Sequence, residues 1–220
     1  ALTEDEKKAV VVEVNAETDF VAKNAKFQAY VAQVAAQALT TTAADMDAFM
    51  GEKWAADETL TVKEALSSQI SIIGENMNIR RFEKVTCDNG IVVDYIHAGG
   101  KIGVLIAAET DNTGAEVVEC LKNVAMQIAA MNPQYLSSDD VSDEYKEREK
   151  AVLLAQAKND PKNANKPDNI IEKMIIGRLN KELKEVCLTE QVYVKAENIP
   201  DCSFPADVPV VSRSGILFQH

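Results

Sequence analysis

Four carboxylates stand at two matching places in the chain. Glu17 and Asp19 lie in Ala16-Glu17-Thr18-Asp19-Phe20, and Glu109 and Asp111 lie in Ala108-Glu109-Thr110-Asp111-Asn112. A pair of carboxyls can act as general acid and general base if one is held protonated and the other ionised. A pseudo-symmetric fold that brought the two copies together would supply such a pair, and a strongly raised carboxyl pKa would mark it. The simpler reading is that each acid lies where a helix starts and complements the positive end of its dipole. Gly99-Gly100-Lys101 invites a phosphate-loop reading, but the glycines are adjacent and Ile102 follows the lysine where that loop requires Ser or Thr. Nucleotide-binding, acyl-transfer and zinc-protease motifs are absent from the sequence. With His97 and His220 as the only histidines, a zinc site lacks ligands. No catalytic residue, metal or cofactor is assigned, and the chain reads as a non-enzyme.

The residue that does not fit a plain turn is Phe20. Turns favour small polar side chains, yet a large ring sits here between Asp19 and Val21. Thr18 or Asp19 could cap the helix that begins near Asn24, with Phe20 folding back as a hydrophobic staple onto its own core. The second copy of the corner argues otherwise. It keeps Glu-Thr-Asp but has Asn112 in place of Phe20, so the shared backbone turn does not need the ring and the ring is free to act on a partner.

The elements that must position this corner follow from the pattern around it. Val10-Val11-Val12-Glu13-Val14 is a β-branched strand, and Ala25 to Leu39 carries Phe27, Tyr30, Val31, Val34, Ala35, Ala38 and Leu39 at helical spacing. The same order recurs later: Glu109 stands 92 residues after Glu17, and Val34-Ala35-Ala36-Gln37-Ala38 is answered by Val124-Ala125-Met126-Gln127-Ile128. Between the copies, Asp45 to Ala56 predicts a short helix. Thr61-Val62-Lys63-Glu64 predicts a capping box and Gly74 a helix stop. Asn78 to Cys87 and Ile91 to His97 read as strands paired through an Asp88-Asn89-Gly90 hairpin turn. A third strand, Ile102 to Ala108, and a helix from Gly114 to Met131 follow. Asp139 to Lys158 is a charged helix with a narrow stripe of Val141, Tyr145, Val152 and Ala155. Its return helix carries Ile171, Ile175, Leu179, Leu183 and Val186 near coiled-coil spacing. Leu188 to Val194 looks like a strand returning to the body.

These elements predict an α+β fold of two related subdomains, each an antiparallel sheet with packed helices, plus a projecting antiparallel coiled-coil hairpin. The expected divisions are 1–86 and 87–137 for the two halves, 138–186 for the arm, 187–197 for the returning strand and 198–220 for a tail of uncertain structure. A chain of 220 residues with 46% hydrophobic content sustains such cores. Its formal charge of −12 argues against nucleic-acid contact, which needs clustered Lys and Arg, and favours protein partners. Cys87, Cys120, Cys187 and Cys202 are widely separated and read as reduced thiols of a cytosolic protein. No apolar run reaches the length of a membrane span.

Three ordered motifs, Thr18-Asp19-Phe20-Val21-Ala22-Lys23-Asn24, Ile73-Gly74-Glu75-Asn76-Met77-Asn78-Ile79-Arg80-Arg81 and Tyr95-Ile96-His97-Ala98-Gly99-Gly100-Lys101-Ile102-Gly103-Val104-Leu105, closely resemble bacterial translation elongation factor Ts, from Val10 to Lys195. The resemblance implies a guanine-nucleotide exchange factor that binds elongation factor Tu and releases its GDP in the cytoplasm. It implies that Asp19 and Phe20, within Thr18 to Val21, wedge beside the partner's magnesium and phosphate site. It further implies that Ile73 and Gly74 touch the partner's nucleotide-binding domain and that His97 meets another of its domains. The family's amino-terminal helical module has no counterpart here, which implies reduced affinity, and the sequence departs from the family after Lys195. The other reading is a scaffold that recruits proteins through the helical hairpin without exchange activity.

Overall fold

The computed structural model describes residues 1–163 and 166–194 and the backbone of 218–219. Two compact units divide the chain: 1–129 with 207–220, and 130–206. The fold is α+β, with small antiparallel sheets and packed helices.

In the first unit, β1 (Lys8–Ala16) leads into a one-turn helix α1 (Asp19–Ala22) and then α2 (Ala25–Thr40). Thr18 caps α1 and Asn24 caps α2, each accepting a backbone N–H, so the corner carries two helix starts where the sequence predicts one. β1 pairs antiparallel with β4 (Met77–Thr86). Along β1 alternate residues face opposite ways. Val10 joins a cluster with Val21, Phe27, Tyr30, Val34 and Ile79, while Ala9 and Val11 join Val85, Val92, Leu105 and Ala107. The strand is therefore covered on both faces, which its nearly unbroken valine run requires.

The predicted helix over Asp45 to Ala56 stops early. α3 is Met46–Gly51, and β2 (Lys53–Trp54) with β3 (Asp57–Thr61) forms a small hairpin. Two tertiary contacts override helix formation here. Trp54 is buried with its ring centroid 5.7 Å from that of Tyr30. Buried Gln37 donates to the Lys53 carbonyl at 2.8 Å and accepts from the Ala55 amide at 2.9 Å, taking up backbone groups that a longer helix would have paired internally. Gln37→Met keeps the volume and removes both bonds. It should cost about 1–2 kcal/mol, read as a lower urea midpoint with an unchanged slope.

α4 (Val62–Ile73) starts at the predicted capping box of Thr61 and Glu64 and stops at Gly74. The Asp88-Asn89-Gly90 turn does not close a hairpin between β4 and β5 (Gly90–His97): β4 pairs with β1, and β5 pairs with β6 (Ile102–Glu109). The residues just before β1 take the place of that pairing. The Cys87 amide donates to the Lys7 carbonyl and the Val92 amide to the Glu6 carbonyl. β6 also pairs with β7 (Phe218–Gln219), and α5 (Ala115–Met131) buries Leu121, Val124, Ala125, Gln127 and Ile128. Gln37 and Gln127 occupy the same place in the repeat, and both are buried.

In the second unit, α6 (Asp143–Asn159) and α7 (Asp168–Val186) form an antiparallel pair. Tyr145 packs with Leu179 and Leu183, while Ala157 packs with Ile171 and Ile175. The buried α7 positions are four of the five predicted, Ile171, Ile175, Leu179 and Leu183, with Val186 half-buried against the same cluster. On α6 the inward residues are Tyr145, Leu153 and Ala157; Val152 and Ala155 are exposed. The first two residues of the expected stripe, Val141 and Tyr145, do pack inward; beyond them the face steps to Leu153 and Ala157, in i, i+4 rows, and leaves Val152 and Ala155 outside. The strand predicted over Leu188 to Val194 is instead a 3₁₀ turn at Leu188–Glu190, with Leu188 and Thr189 donating to the Tyr135 and Leu136 carbonyls. The predicted tail, 198–220, lies outside the described residues apart from β7.

Candidate functional site

The corner after β1 turns one apolar side chain inward and the next one outward. Val21 is buried in the cluster beneath α2, whereas Phe20, its neighbour in the single turn of α1, is 88% exposed. The staple in which Phe20 folds back on its own core is not formed. An exposed phenyl ring leaves apolar surface in water that a partner can cover.

Two contacts from distant parts of the sequence hold this turn. The Thr18 hydroxyl donates to the Glu75 carboxylate, with its two oxygens at 2.9 and 3.0 Å, and accepts from the Val21 amide at 3.4 Å. A hydroxyl has one proton to give. Its commitment to Glu75 leaves the lone pairs for the cap. Asp19, the first residue of α1, is exposed, with the Lys101 ammonium 3.3 Å from both of its oxygens.

Ile73 ends α4 half-buried against the core, while Ile72 beside it is 60% exposed. Gly74 has φ +84° and donates its N–H to the Ile70 carbonyl at 2.8 Å. A Cβ there would meet nothing within 4 Å, so the glycine serves the backbone angle and not a shortage of room. His97 ends β5, exposed, its Nδ1 2.9 Å from the Tyr95 hydroxyl and the two rings stacked. The loop from His97 to Lys101 passes through Ala98, Gly99 and Gly100, all with positive φ. Glu75 thus ties the Thr18 corner to the α4 end, and Lys101 ties it to the β5–β6 loop.

The second corner is built differently. Thr110 and Asn112 satisfy one another, and the Asn112 side chain accepts from the Gly114 amide. No one-turn helix forms, and α5 begins only at Ala115.

The acid–base alternative gains no support from this geometry. Glu17, Asp19, Glu109 and Asp111 are all exposed, and Asp19 is paired with Lys101. Burial pushes the Cys87, Cys120 and Cys187 thiols up, which keeps them protonated and poor nucleophiles; Cys202 lies outside the described residues. Among the described residues no cluster of His, Cys, Asp and Glu is arranged to hold a metal ion, and no helix is long and apolar enough to cross a membrane.

A family model described as Elongation factor TS matches residues 17–200. The chain belongs to the elongation factor Ts family. The match opens at Glu17 and takes in every corner, α4-end and β5–β6 loop residue described above. Elongation factor Ts of Clostridioides difficile (strain 630) is 49% identical over 215 residues, 98% of this chain and 69% of that protein. That of Clostridium novyi (strain NT) is 46% identical over 194 residues, 88% of this chain and 62% of its own length. That of Trichlorobacter lovleyi is 48% identical over 199 residues, 89% of this chain and 63% of the relative. The chain therefore spans a little under two thirds to about two thirds of these elongation factor Ts proteins.

Sequence alone gives Glu75 and Lys101 no part at the corner. The only local hints were a carboxylate directly after a helix-stopping glycine and a cation directly after two glycines.

Proposed function

We propose that the chain is a guanine-nucleotide exchange factor for translation elongation factor Tu, a cytoplasmic protein whose partner is protein and not nucleic acid or membrane. The observation that carries this is Phe20, presented to solvent on a turn tied from two sides, in a chain of the elongation factor Ts family. In this reading 1–86 supplies the Thr18–Val21 wedge and the Ile73–Gly74 contact, 87–137 supplies His97, and 138–186 is an arm. Exchange follows by linkage: a protein that binds the nucleotide-free partner more tightly than the GDP-bound one must be weakened by GDP by the same factor. Asp19 and Phe20 create that difference by displacing the groups that hold the magnesium ion and phosphates. No bond is made or broken, and the energy comes from the interface.

The test is release of fluorescent GDP from preloaded elongation factor Tu. Saturable acceleration by the chain is expected with unlabelled GDP present as the chase, and GDP should weaken the complex of the chain with its partner by the factor linkage demands. A release rate equal to the spontaneous one at all concentrations contradicts the reading. Val152, Leu154, Ile170 and Ile176 are exposed on α6 and α7, and they favour the scaffold as the second reading. It predicts binding that is lost with 138–186 and indifferent to Asp19 and Phe20.

A further inference from the structure

We infer that Glu75 is a positioning residue for the wedge: its carboxylate sets the direction of Phe20 through the Thr18 hydroxyl. The inference rests on the wedge reading above and adds to it a residue that touches neither nucleotide nor metal.

A helix of four residues, Asp19–Ala22, has almost no hydrogen bonding of its own to define its orientation. What defines it is Val21 buried beneath it, Ala22 packed against the same cluster with its carbonyl accepting from the Gln28 side chain at 3.3 Å, and Thr18 at its cap. Val21 and Ala22 fix the end of the turn away from the cap. The Thr18 hydroxyl, bonded to both Glu75 oxygens across 57 residues of sequence, supplies the second point. Glu75 is itself held, since it follows Gly74, whose left-handed conformation ends α4. The hydroxyl–carboxylate contact is itself open to solvent, and it joins the Thr18 corner to the end of α4. The second corner is the internal comparison. There Thr110 bonds locally with Asn112, no one-turn helix forms, and no ring is presented. The latch accompanies the ring.

Lys101 acts on the same turn, but its pairing with Asp19 is between exposed groups at 3.3 Å and restrains it weakly. The Glu75 contact is shorter, 2.9 Å against 3.3 Å, and it holds the cap residue itself.

The test compares Glu75→Ala, Glu75→Gln, Thr18→Val and the double variant Thr18→Val/Glu75→Ala, each as the whole chain, in stimulated release of fluorescent GDP from elongation factor Tu. Phe20→Ala is run alongside. Glu75→Ala should lower the maximal stimulated rate about fivefold, the factor of one ordinary hydrogen bond at an exposed site. The concentration for half-maximal stimulation should change little. Glu75→Gln, which still offers an acceptor, should recover most of the rate, and the double variant should be no slower than Glu75→Ala. An effect confined to the half-maximal concentration would overturn the inference by making Glu75 a direct contact. So would additive losses in the double variant, or full activity of Glu75→Ala while Phe20→Ala is slow. If Phe20→Ala is itself unimpaired, the wedge reading fails first.

Discussion

Phe20→Ala should slow stimulated GDP release from elongation factor Tu by one to two orders of magnitude at saturating exchange factor, with the melting temperature of the chain unchanged. The size comes from burial. Covering one phenyl side chain is worth roughly 1.5–3 kcal/mol, and each tenfold of coupling between GDP and the exchange factor needs about 1.4 kcal/mol. The ring therefore accounts for one or two decades and no more; the displaced metal and phosphate contacts and the wider interface supply the rest. The unchanged stability comes from exposure. A side chain 88% open to water leaves no cavity when truncated. Stopped-flow release and thermal melting together decide the matter, because a variant that melts early would show the ring to be part of the core.

The largest effect on stability is expected on the other side of β1. Glu13 is 3% exposed, on a strand covered on both faces, and its carboxylate accepts from Arg80 Nη1 at 2.8 Å and Arg81 Nε at 2.6 Å. Adjacent strand residues ordinarily point to opposite faces. Here the register shifts between Glu13 and Val14, so that Glu13 stands opposite Arg81 and Val14 opposite Ile79. Arg80 is the extra residue of the bulge, which lets both guanidinium groups reach one carboxylate. Both arginines are about half exposed, so removing them together strands a buried charge, whereas removing the glutamate leaves two cations in water. The Arg80→Ala/Arg81→Ala double variant should lose about 3–5 kcal/mol, and Glu13→Gln distinctly less. Either arginine alone should cost a fraction of the pair, since the other still compensates the carboxylate. Burial pushes the Glu13 carboxyl up, but the hydrogen bonds and charges of Arg80 and Arg81 outweigh it and hold the carboxyl below the usual range. A group depressed in the folded state stabilises above its unfolded pKa, near 4.3, and loses that contribution as the pH falls through the lower folded value. Urea unfolding followed from pH 6 downward should therefore show a decline below about pH 4 that is shallower in Glu13→Gln.

How much of this was legible in the sequence depended on how far apart the interacting residues lie. The capping box at Thr61, the stop at Gly74, the buried face of α2 and the strand–corner–helix repeat depend on neighbours within a few residues, and they stand where the pattern put them. Glu13 shows the opposite case. In Val12-Glu13-Val14 a polar residue at alternate spacing reads as the wet face of a strand, and nothing local reveals the second sheet that covers it. The strands flanking Asp88-Asn89-Gly90 read as partners because the turn is a hairpin turn by composition; the residues before β1 supply the competing partners. The candidate site divides in the same way. Phe20 stands out because a ring on a polar corner breaks a local rule; the shared turn expected from the copy at Asn112 is not formed, because Asn112 bonds locally to Thr110 and Gly114. Glu75 and Lys101 lie 57 and 82 residues from their partners, and only the folded chain brings them to the corner.

The claim on which the account turns is that the Phe20 ring enters the partner as GDP leaves. It is tested most directly by placing 4-fluorophenylalanine at position 20 of the otherwise unaltered chain and recording its ¹⁹F resonance as nucleotide-free elongation factor Tu is added. The account predicts a shifted, broadened signal with a loss of solvent exposure, and its return to the free position when excess GDP is added. A resonance that keeps the free chain's shift and solvent exposure, in a complex shown to have formed by sedimentation, would contradict it.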